Sequence, residues 1–377
     1  MNSVTVIVPI YYGQKYIKGI IRQVESASRL MEPEDTVELI FANDAPDAPL
    51  DESECCSGLI KTVVLNTNIN RGIHGARVWG LSHAKGEYIV FLDQDDFIYE
   101  NYFRDQLNEI GGSDAVVCRL ISGNKLQYTA FHKFEEVVTK EYMLNIWNSI
   151  ESPGQVLIRK SSIPDVWKEN IMSYNGADDY FLWLCMFAEG KEFALNQGVL
   201  FEHVVTEWNT SSDTNLMMDS ELEMVRILLE NHVFSGEDEE RLQRLPEILR
   251  KNHVTDLDIS RNAYSVYDKW LAQKLNGDDP TDIFKKDGIK TVAIYGAGYI
   301  GRSIYKLMKN SDTQAVFYID RNADYIHLEI PAYTIGDAPQ AVGGIIISLF
   351  KGTDSITADL REKYDCPIYT VREILQL

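Results

Sequence analysis

Four consecutive residues, Asp93-Gln94-Asp95-Asp96, place three carboxylates in one short run, directly after the apolar stretch Gly86-Glu87-Tyr88-Ile89-Val90-Phe91-Leu92. β-Branched and aromatic residues running unbroken behind a glycine read as a buried strand. Three like charges at the end of such a strand repel one another, so folding alone does not favour them. Side chains two apart on an extended segment point the same way, which turns Asp93 and Asp95 towards one ligand. Ligands of open α/β sheets sit beyond the carboxyl ends of the strands. Paired carboxylates there suit a hard divalent cation, Mg²⁺ or Mn²⁺, that keeps further positions for phosphate oxygens. A solvated acidic turn is the plainer alternative. A second pair, Asp178-Asp179, opens a stretch whose apolar residues from Phe181 onward recur at helical spacing. An Asp at a helix start meets uncovered N–H groups and the positive end of the helix dipole. Capping is therefore one reading; a carboxylate held ionised to take a hydroxyl proton is the other.

Residues 84–96 resemble the segment around the DxD motif of family 2 glycosyltransferases, which have the GT-A fold. The resemblance implies that Asp93 contacts the ribose and diphosphate of a sugar nucleotide and that Asp95 binds the metal on that diphosphate, with Asp96 sharing either role. The stretch Gly176-Ala177-Asp178-Asp179-Tyr180-Phe181-Leu182-Trp183-Leu184 resembles the family's E-D-x-x-L-W-L, which carries the catalytic base of inverting members. Asp179 falls on that base and Asp178 on the usual Glu. One base suffices for direct displacement with inversion, whereas double displacement asks for a second carboxylate as nucleophile.

Further matches surround these two motifs. Pro9 and Tyr11 fit the family's P-x-Y-N, whose backbone lies along the nucleoside, with Tyr12 in place of Asn. Asn43-Asp44-Ala45-Pro46-Asp47 stands where the family has D-D-G-S-x-D. Asn43 replaces the first Asp, and Asp44 keeps the second, implied to bond the base. Leaving a uracil N3–H unpaired there would cost ~1–3 kcal/mol. Asn68-Ile69-Asn70-Arg71-Gly72-Ile73-His74-Gly75-Ala76-Arg77 is similar to N-x-G-x-x-x-A-R-N, with Val78 for the last Asn, and offers Arg71 or Arg77 to the donor site. His203 stands where many members have a His that binds metal or diphosphate, after Glu202 instead of Arg and before a Val204-Val205-Thr206-Glu207-Trp208 run. Residues 153–160 look like the acceptor-side strand.

The elements that must position these residues follow from the apolar pattern. Strands are expected at 4–10, 37–42, 63–65, 86–92, 115–121, 126–131 and 198–203. Helices are expected at 11–31, 68–83, 101–110, 140–148 and from 178. Beyond Thr214 the chain turns helical at 221–231, 237–249 and 256–275, with no resemblance to a catalytic element. Past the breakers of Asn276-Gly277-Asp278-Asp279-Pro280, a strand at 289–295 leads into Gly296-Ala297-Gly298-Tyr299-Ile300-Gly301, a helix to 309 and a second strand ending in Asp320. This arrangement is the context a dinucleotide-binding fingerprint requires, and it makes Gly296, Gly298, Gly301 and Asp320 candidate cofactor contacts. A Rossmann-like fold does not settle function. Tyr305 and Lys309 have the spacing of a short-chain dehydrogenase pair but lie on the wrong element, and NAD chemistry is not expected.

The fold class expected is α/β: a GT-A nucleotide-diphospho-sugar transferase domain at 1–212, with a mixed, mostly parallel sheet flanked by helices; a helical connector at 213–287; and a small Rossmann-like domain at 288–377. A net charge of −21 over 377 residues argues against nucleic acid and against an anionic bilayer as partners. Five cysteines without a CxxC pair fit reduced thiols. The start lacks the basic and apolar regions of a signal peptide, and no apolar run nears the ~20 residues of a membrane span. A soluble, cytoplasmic protein is expected, with peripheral membrane association and homo-oligomerisation through the C-terminal module left open. The function expected is metal-dependent inverting transfer from a nucleotide sugar, a UDP-sugar first, to a hydroxyl of a glycan, lipid-linked glycan or glycoprotein acceptor. No Q-x-x-R-W motif of processive synthases is present. Two alternatives stand beside it: a catalytically silent sugar-nucleotide-binding or scaffolding subunit, and an NAD-dependent oxidoreductase or epimerase acting through the C-terminal module.

Overall fold

The computed structural model describes residues 1–123, 125–128, 133–205, 213–323 and 328–376, with residues 254–260 and 263 described by backbone alone. In chain order it begins β1 (Ser3–Ile10), α1 (Ile17–Ser28), β2 (Thr36–Asn43), β3 (Lys61–Asn66), α2 (Gly72–His83), β4 (Tyr88–Phe91), β5 (Phe97–Ile98) and α3 (Tyr102–Ile110). It continues through β6 (Ala115–Ser122), β7 (Lys125–Leu126), α4 (Phe134–Val137), α5 (Lys140–Asn145), β8 (Val156–Arg159), α6 (Asp165–Glu169), α7 (Asp178–Ala188), β9 (Phe193–His203), α8 (Thr214–Glu230) and α9 (Glu237–Leu275). The chain divides into two compact units, one running to His253 and the other from Val254. The division falls inside the stretch set aside above as a connector.

In the first unit the described strands order as β3-β2-β1-β4-β8-β6-β9-β5, with β7 on β6. β1, β2, β3 and β4 pair in parallel, while β8 runs antiparallel to both β4 and β6. Val4 and Val6–Ile10 of β1 and the whole of β4 are buried, as near-continuous apolar strands in a parallel sheet must be when both faces are covered. The mixed, mostly parallel sheet is the α/β architecture expected. Its C-terminal strand ends gather the loops after β1, β2 and β4, so the two strands on either side of β1 present their loops to one edge. Gly80 lets α2 lie against β1, because a Cβ there would come within 2.4 Å of Ile7 Cγ2.

Two helices differ from expectation. The expected helix at 11–31 starts only with a 3₁₀ turn at Gln14–Tyr16 and becomes α1 at Ile17, because Tyr12 has φ +49° and a left-handed residue cannot continue a right-handed helix. The two helices expected at 237–249 and 256–275 are one, α9, with Pro246 inside it; residues 250–255 contain neither Gly nor Pro to break it. Of the strand expected at 126–131 only Leu126 lies in a strand, β7; Gln127 and Tyr128 form a bend, with Tyr128 at φ +64°, and the residues from 129 onward lie outside the described ones.

The second unit continues with α10 (Asp282–Lys286), β10 (Thr291–Tyr295), α11 (Tyr299–Met308), β11 (Gln314–Ile319), β12 (Ala332–Tyr333), β13 (Gly344–Ile347), α12 (Thr353–Lys363), β14 (Ile368–Thr370) and α13 (Val371–Leu375). Its sheet, ordered β12-β11-β10-β13-β14, is parallel throughout, which is the small Rossmann-like sheet expected. Gly296 has φ +93°, and a Cβ on Gly301 would sit 1.8 Å from the Gly296 carbonyl oxygen. Those two glycines therefore shape the β10–α11 turn. Gly298 meets nothing within 4 Å.

Candidate active site

Arg77 joins the two acidic motifs. It lies on α2 within the buried set Ala76, Arg77, Gly80 and Leu81, so its guanidinium enters the interior and must find partners there. One terminal nitrogen donates to Asp178 Oδ2 at 2.6 Å, and the other to Asp93 Oδ1. Nε has no partner among the described residues. Burial works against the guanidinium's charge, but Asp178, Asp93 and Asp179 outweigh it and hold its pKa above the usual range. One cation thus ties the end of β4 to the start of α7, with Asp93 and Asp178 85 residues apart in sequence. The signal for it was a charge at core spacing on an otherwise small and apolar helix face. Arg71, weighed equally as a donor-site contact, sits at the α2 N-cap with its guanidinium over Trp79, 5.0 Å from the ring centre.

The acidic loop divides its carboxylates between structure and ligand. Asp96 is buried and accepts from His203 Nδ1 at 2.9 Å, Val204 N–H at 3.0 Å and Ser152 Oγ at 2.8 Å. Those bonds fix it as the clamp between this loop, β9 and the 152–155 turn, in place of the ligand role allowed for it above. Gln94 locks the loop on the other side: its Oε1 accepts Tyr11 N–H at 3.0 Å and its Nε2 donates to Tyr11 O at 3.4 Å. Asp93 and Asp95 remain half-buried. Burial and Asp96 push the Asp93 carboxyl up, with Arg77 pulling against them. Burial, Asp96 and Asp93 push Asp95 up to about 6.

That mutual repulsion is the condition a divalent cation relieves, and Asp95 with Asp93 supplies hard oxygen donors for it. Among the described residues no group of three or more His, Cys, Asp or Glu is arranged to hold a metal ion. Burial disfavours charge on His203, but its bond to Asp96 and the charges of Asp96, Asp93 and Glu151 raise it to about 9. It carries a proton at neutral pH, and a metal would have to displace that proton to bind it.

Asp178 and Asp179 occupy the first turn of α7. Asp178 is buried, committed to Arg77, and its carbonyl accepts from Trp167 Nε1 at 2.8 Å. Asp179 accepts from Tyr180 N–H at 2.6 Å. Burial and Asp178 push its carboxyl up to about 8, against the pull of Arg77. A carboxylate titrating near neutrality is matched to proton transfer.

The 173–177 loop leading to this pair is held by a helix in which the sequence showed no catalytic resemblance. Glu223 of α8 accepts Ser173 N–H at 2.8 Å and Tyr174 N–H at 2.9 Å. Ser220 accepts Ala177 N–H at 2.9 Å and donates to Tyr174 O at 3.2 Å. Asn175 Oδ1 accepts Ile73 N–H at 3.0 Å, joining the loop to α2. No local pattern marks Ser220 or Glu223, since their partners are main-chain groups.

The loop after β2 is built by the residue that departs from the family pattern. Asn43, fully buried, donates from Nδ2 to Ala48 O at 3.0 Å and Asn66 Oδ1 at 2.9 Å, and accepts Ala45 N–H at Oδ1. An Asp at this position has no donor for those oxygens. Asn43→Asp is expected to destabilise the protein by about 1–3 kcal/mol through unmatched buried acceptors, seen as a lower urea midpoint at unchanged slope. Asp44 accepts Arg71 N–H at 2.8 Å, and burial raises its pKa despite that bond. Pro9 pairs beside Ala42 in the β1–β2 register. Tyr11 is half exposed, edge-on to Tyr12, whose hydroxyl donates to Asp47 Oδ1 at 2.7 Å. Glu202, where the family often has Arg, accepts from Tyr99 OH at 3.1 Å. Residues 206–208 of the run that follows lie outside the described ones.

In the second unit Asp320 spends its carboxylate on its own turn. Oδ2 accepts Ala297 N–H at 2.7 Å and Oδ1 accepts Asn322 N–H at 2.9 Å. The acid that a dinucleotide fingerprint aims at a ribose hydroxyl here fastens the glycine loop to the end of β11.

The family model for glycosyl transferase family 2 matches residues 5–171, the span holding β1, β2, α2 and the acidic loop. An uncharacterized glycosyltransferase of Haemophilus influenzae is 33% identical over 54% of this chain and 77% of its own length. The chain belongs to glycosyl transferase family 2. The minor teichoic acid biosynthesis protein GgaB of Bacillus subtilis is 35% identical over 28% of this chain. The chain spans 33% of the length of the putative glycosyltransferase EpsH of Bacillus subtilis and 11% of the length of GgaB. Among solved structures, Staphylococcus aureus TarS 1–349 in complex with UDP-GlcNAc aligns with TM-score 0.46 at 18% identity, covering 66% of this chain and 71% of that one. Among the described residues no helix is long and apolar enough to cross a membrane.

Proposed function

We propose that this protein is a metal-dependent inverting glycosyltransferase that moves a sugar from a nucleotide diphosphate to a hydroxyl acceptor. The observation that carries the reading is the Arg77 bridge, which brings the carboxylate of the DxD loop and the acidic pair of α7 into one site. Asp95 and Asp93 would hold a divalent cation, which would supply positive charge for the leaving diphosphate. Protonated His203 adds positive charge on the same side. Asp179, next to the bridge but not part of it, accepts the proton of the incoming hydroxyl, and Asp178 holds Arg77 in place. Pro9 and Tyr11 border the nucleoside. Asp44 faces the base, which favours a uracil nucleotide and hence a UDP-sugar. The acceptor is a glycan, lipid-linked glycan or glycoprotein in surface-polymer assembly in the cytoplasm; the teichoic acid protein among the relatives supports that class.

Thermal unfolding of the whole chain with UDP-glucose, UDP-GlcNAc and GDP-mannose, each with Mn²⁺ or with chelator, tests this. A matching donor at 100 times its Kd adds about 2.7 kcal/mol to the native state. Asp95→Asn should lose the metal-dependent part of that gain. No stabilisation by any of the three donors with Mn²⁺ would overturn the donor assignment. Stabilisation without transfer across acceptor panels would favour a silent binding subunit.

A further inference from the structure

The loop after β1 holds a bulky residue in a conformation that it resists. Tyr12 has φ +49°, in the left-handed region where an aromatic residue is an outlier and an asparagine or glycine is at ease. Such strain persists only where the surroundings over-determine it, and it gathers at functional sites. Folding draws little from this residue, because Tyr11 and Tyr12 are 50% and 52% exposed and neither ring belongs to the core. The ties that hold the loop run to both strands beside β1. Ile10 stands next to Asn43 in the β1–β2 register and accepts Asp44 N–H at 2.7 Å, so Tyr11 and Tyr12 leave the sheet beside the 44–48 turn. The Tyr12 hydroxyl crosses to Asp47 Oδ1 at 2.7 Å, and Gln14 Nε2 donates to Ala48 O at 3.1 Å. From the β4 side, Gln94 bonds the Tyr11 main chain at both N–H and carbonyl. The dipeptide is thus stretched between the loop that carries Asp95 and the loop that carries Asp44, with its two rings edge-on and 4.6 Å apart.

We infer that Tyr12 is a positioning residue of the donor site: held left-handed by its bond to Asp47, it fixes Tyr11 and closes the β1 loop onto the β2 loop, where the nucleoside of the donor lies. The inference rests on the nucleotide-sugar reading above and adds to it a residue that stands in place of the family's Asn. A turn alone would not select tyrosine, since asparagine makes the same left-handed turn at less cost. The Tyr12–Asp47 bond is exposed, so it is worth little to the free protein, where water competes for both partners. A nucleoside seated against the rings excludes that water, and the same bond then counts for more. A residue that works in this way has opposite effects on stability and on binding.

Calorimetric titration of the full chain with UDP and with GDP, each with Mn²⁺, alongside urea unfolding without nucleotide, tests the assignment. Tyr12→Asn should relieve the left-handed strain and raise the urea midpoint, yet weaken the nucleotide that wild type binds by at least about tenfold. Tyr12→Phe keeps the ring and loses only the tie. Its urea midpoint should stay at the wild-type value while Kd rises about three- to tenfold. Asp47→Ala should match it, and Asp47→Asn, which keeps an acceptor oxygen, should return most of the affinity. Tyr12→Phe with Asp47→Ala should bind no more weakly than either alone, as expected of two partners in one bond. Affinities equal to wild type in Tyr12→Phe and Tyr12→Asn overturn the positioning role and leave the donor site standing. A urea midpoint that falls together with affinity in Tyr12→Asn assigns the residue to folding alone, and also overturns it. A wild-type chain that binds neither nucleotide overturns the nucleotide reading, and this assignment with it.

Discussion

Arg77→Met is expected to destabilise the protein by about 3–5 kcal/mol, a large part of the stability of an ordinary domain. Methionine fills similar space, so the loss comes from charge. With the guanidinium gone, Asp178 is left buried with no cation against it, and Asp93 loses the same partner. Arg77→Lys should recover only part of the loss, because an ammonium is a point charge and cannot fork to two carboxylates from a planar frame. Asp178→Asn placed on Arg77→Met should return a substantial share, since it removes the uncompensated charge. That non-additivity is the signature of a bridge. Urea unfolding of the four proteins gives the cycle directly. An Arg77→Met loss within 1 kcal/mol of a surface substitution's would mean that the bridge does not organise the site. Donor binding should fall with stability in this series, because the same residue sets the position of Asp93.

How much of this could be read from the chain depends on whether a residue's partners are side chains in recognisable motifs or main-chain groups elsewhere. The buried strands, the acidic loop and the Asp178–Asp179 helix start were legible, because their periodicity and end residues are local properties. The burden on each acid was not. Asp95 and Asp96 are adjacent and chemically identical, yet Asp96 is saturated by His203, Val204 and Ser152. Those residues come from two other strand ends, and nothing in residues 93–96 announces them. Asn43 looked like a weakened version of an aspartate; its burial and its donor bonds show a turn that needs an amide. Asp320 stood where a ribose contact is expected and proved to be a fastening of its own loop. Ser220 and Glu223 illustrate the general limit. They act on main-chain N–H groups of the 173–177 loop, and main-chain partners leave no trace in residue type.

Asp179→Asn is expected to lower the transfer rate by about 10²–10⁴, the range for losing a general base, while leaving donor affinity and the Arg77 bridge intact. Asparagine keeps an oxygen for Tyr180 N–H, so the local fold has no reason to change. The pH profile separates a base from a positioning group. The active form of Asp179 is the carboxylate, and burial together with Asp178 holds its pKa up to about 8. The wild-type kcat/KM should therefore rise about tenfold per pH unit below that value and level off above it, and the residual activity of Asp179→Asn should lack that limb. Stability moves the opposite way. The folded pKa lies above the ordinary carboxylate value, so the folded state binds a proton that the unfolded chain has released. Its contribution is full below about pH 4 and is lost as pH rises towards 8. Asp179→Asn, neutral throughout, should thus gain stability relative to wild type across that window and hold the gain above it. A variant that loses activity with no change in the pH limb, or that loses stability at pH 8, would assign Asp179 to helix capping and leave the proton to another group.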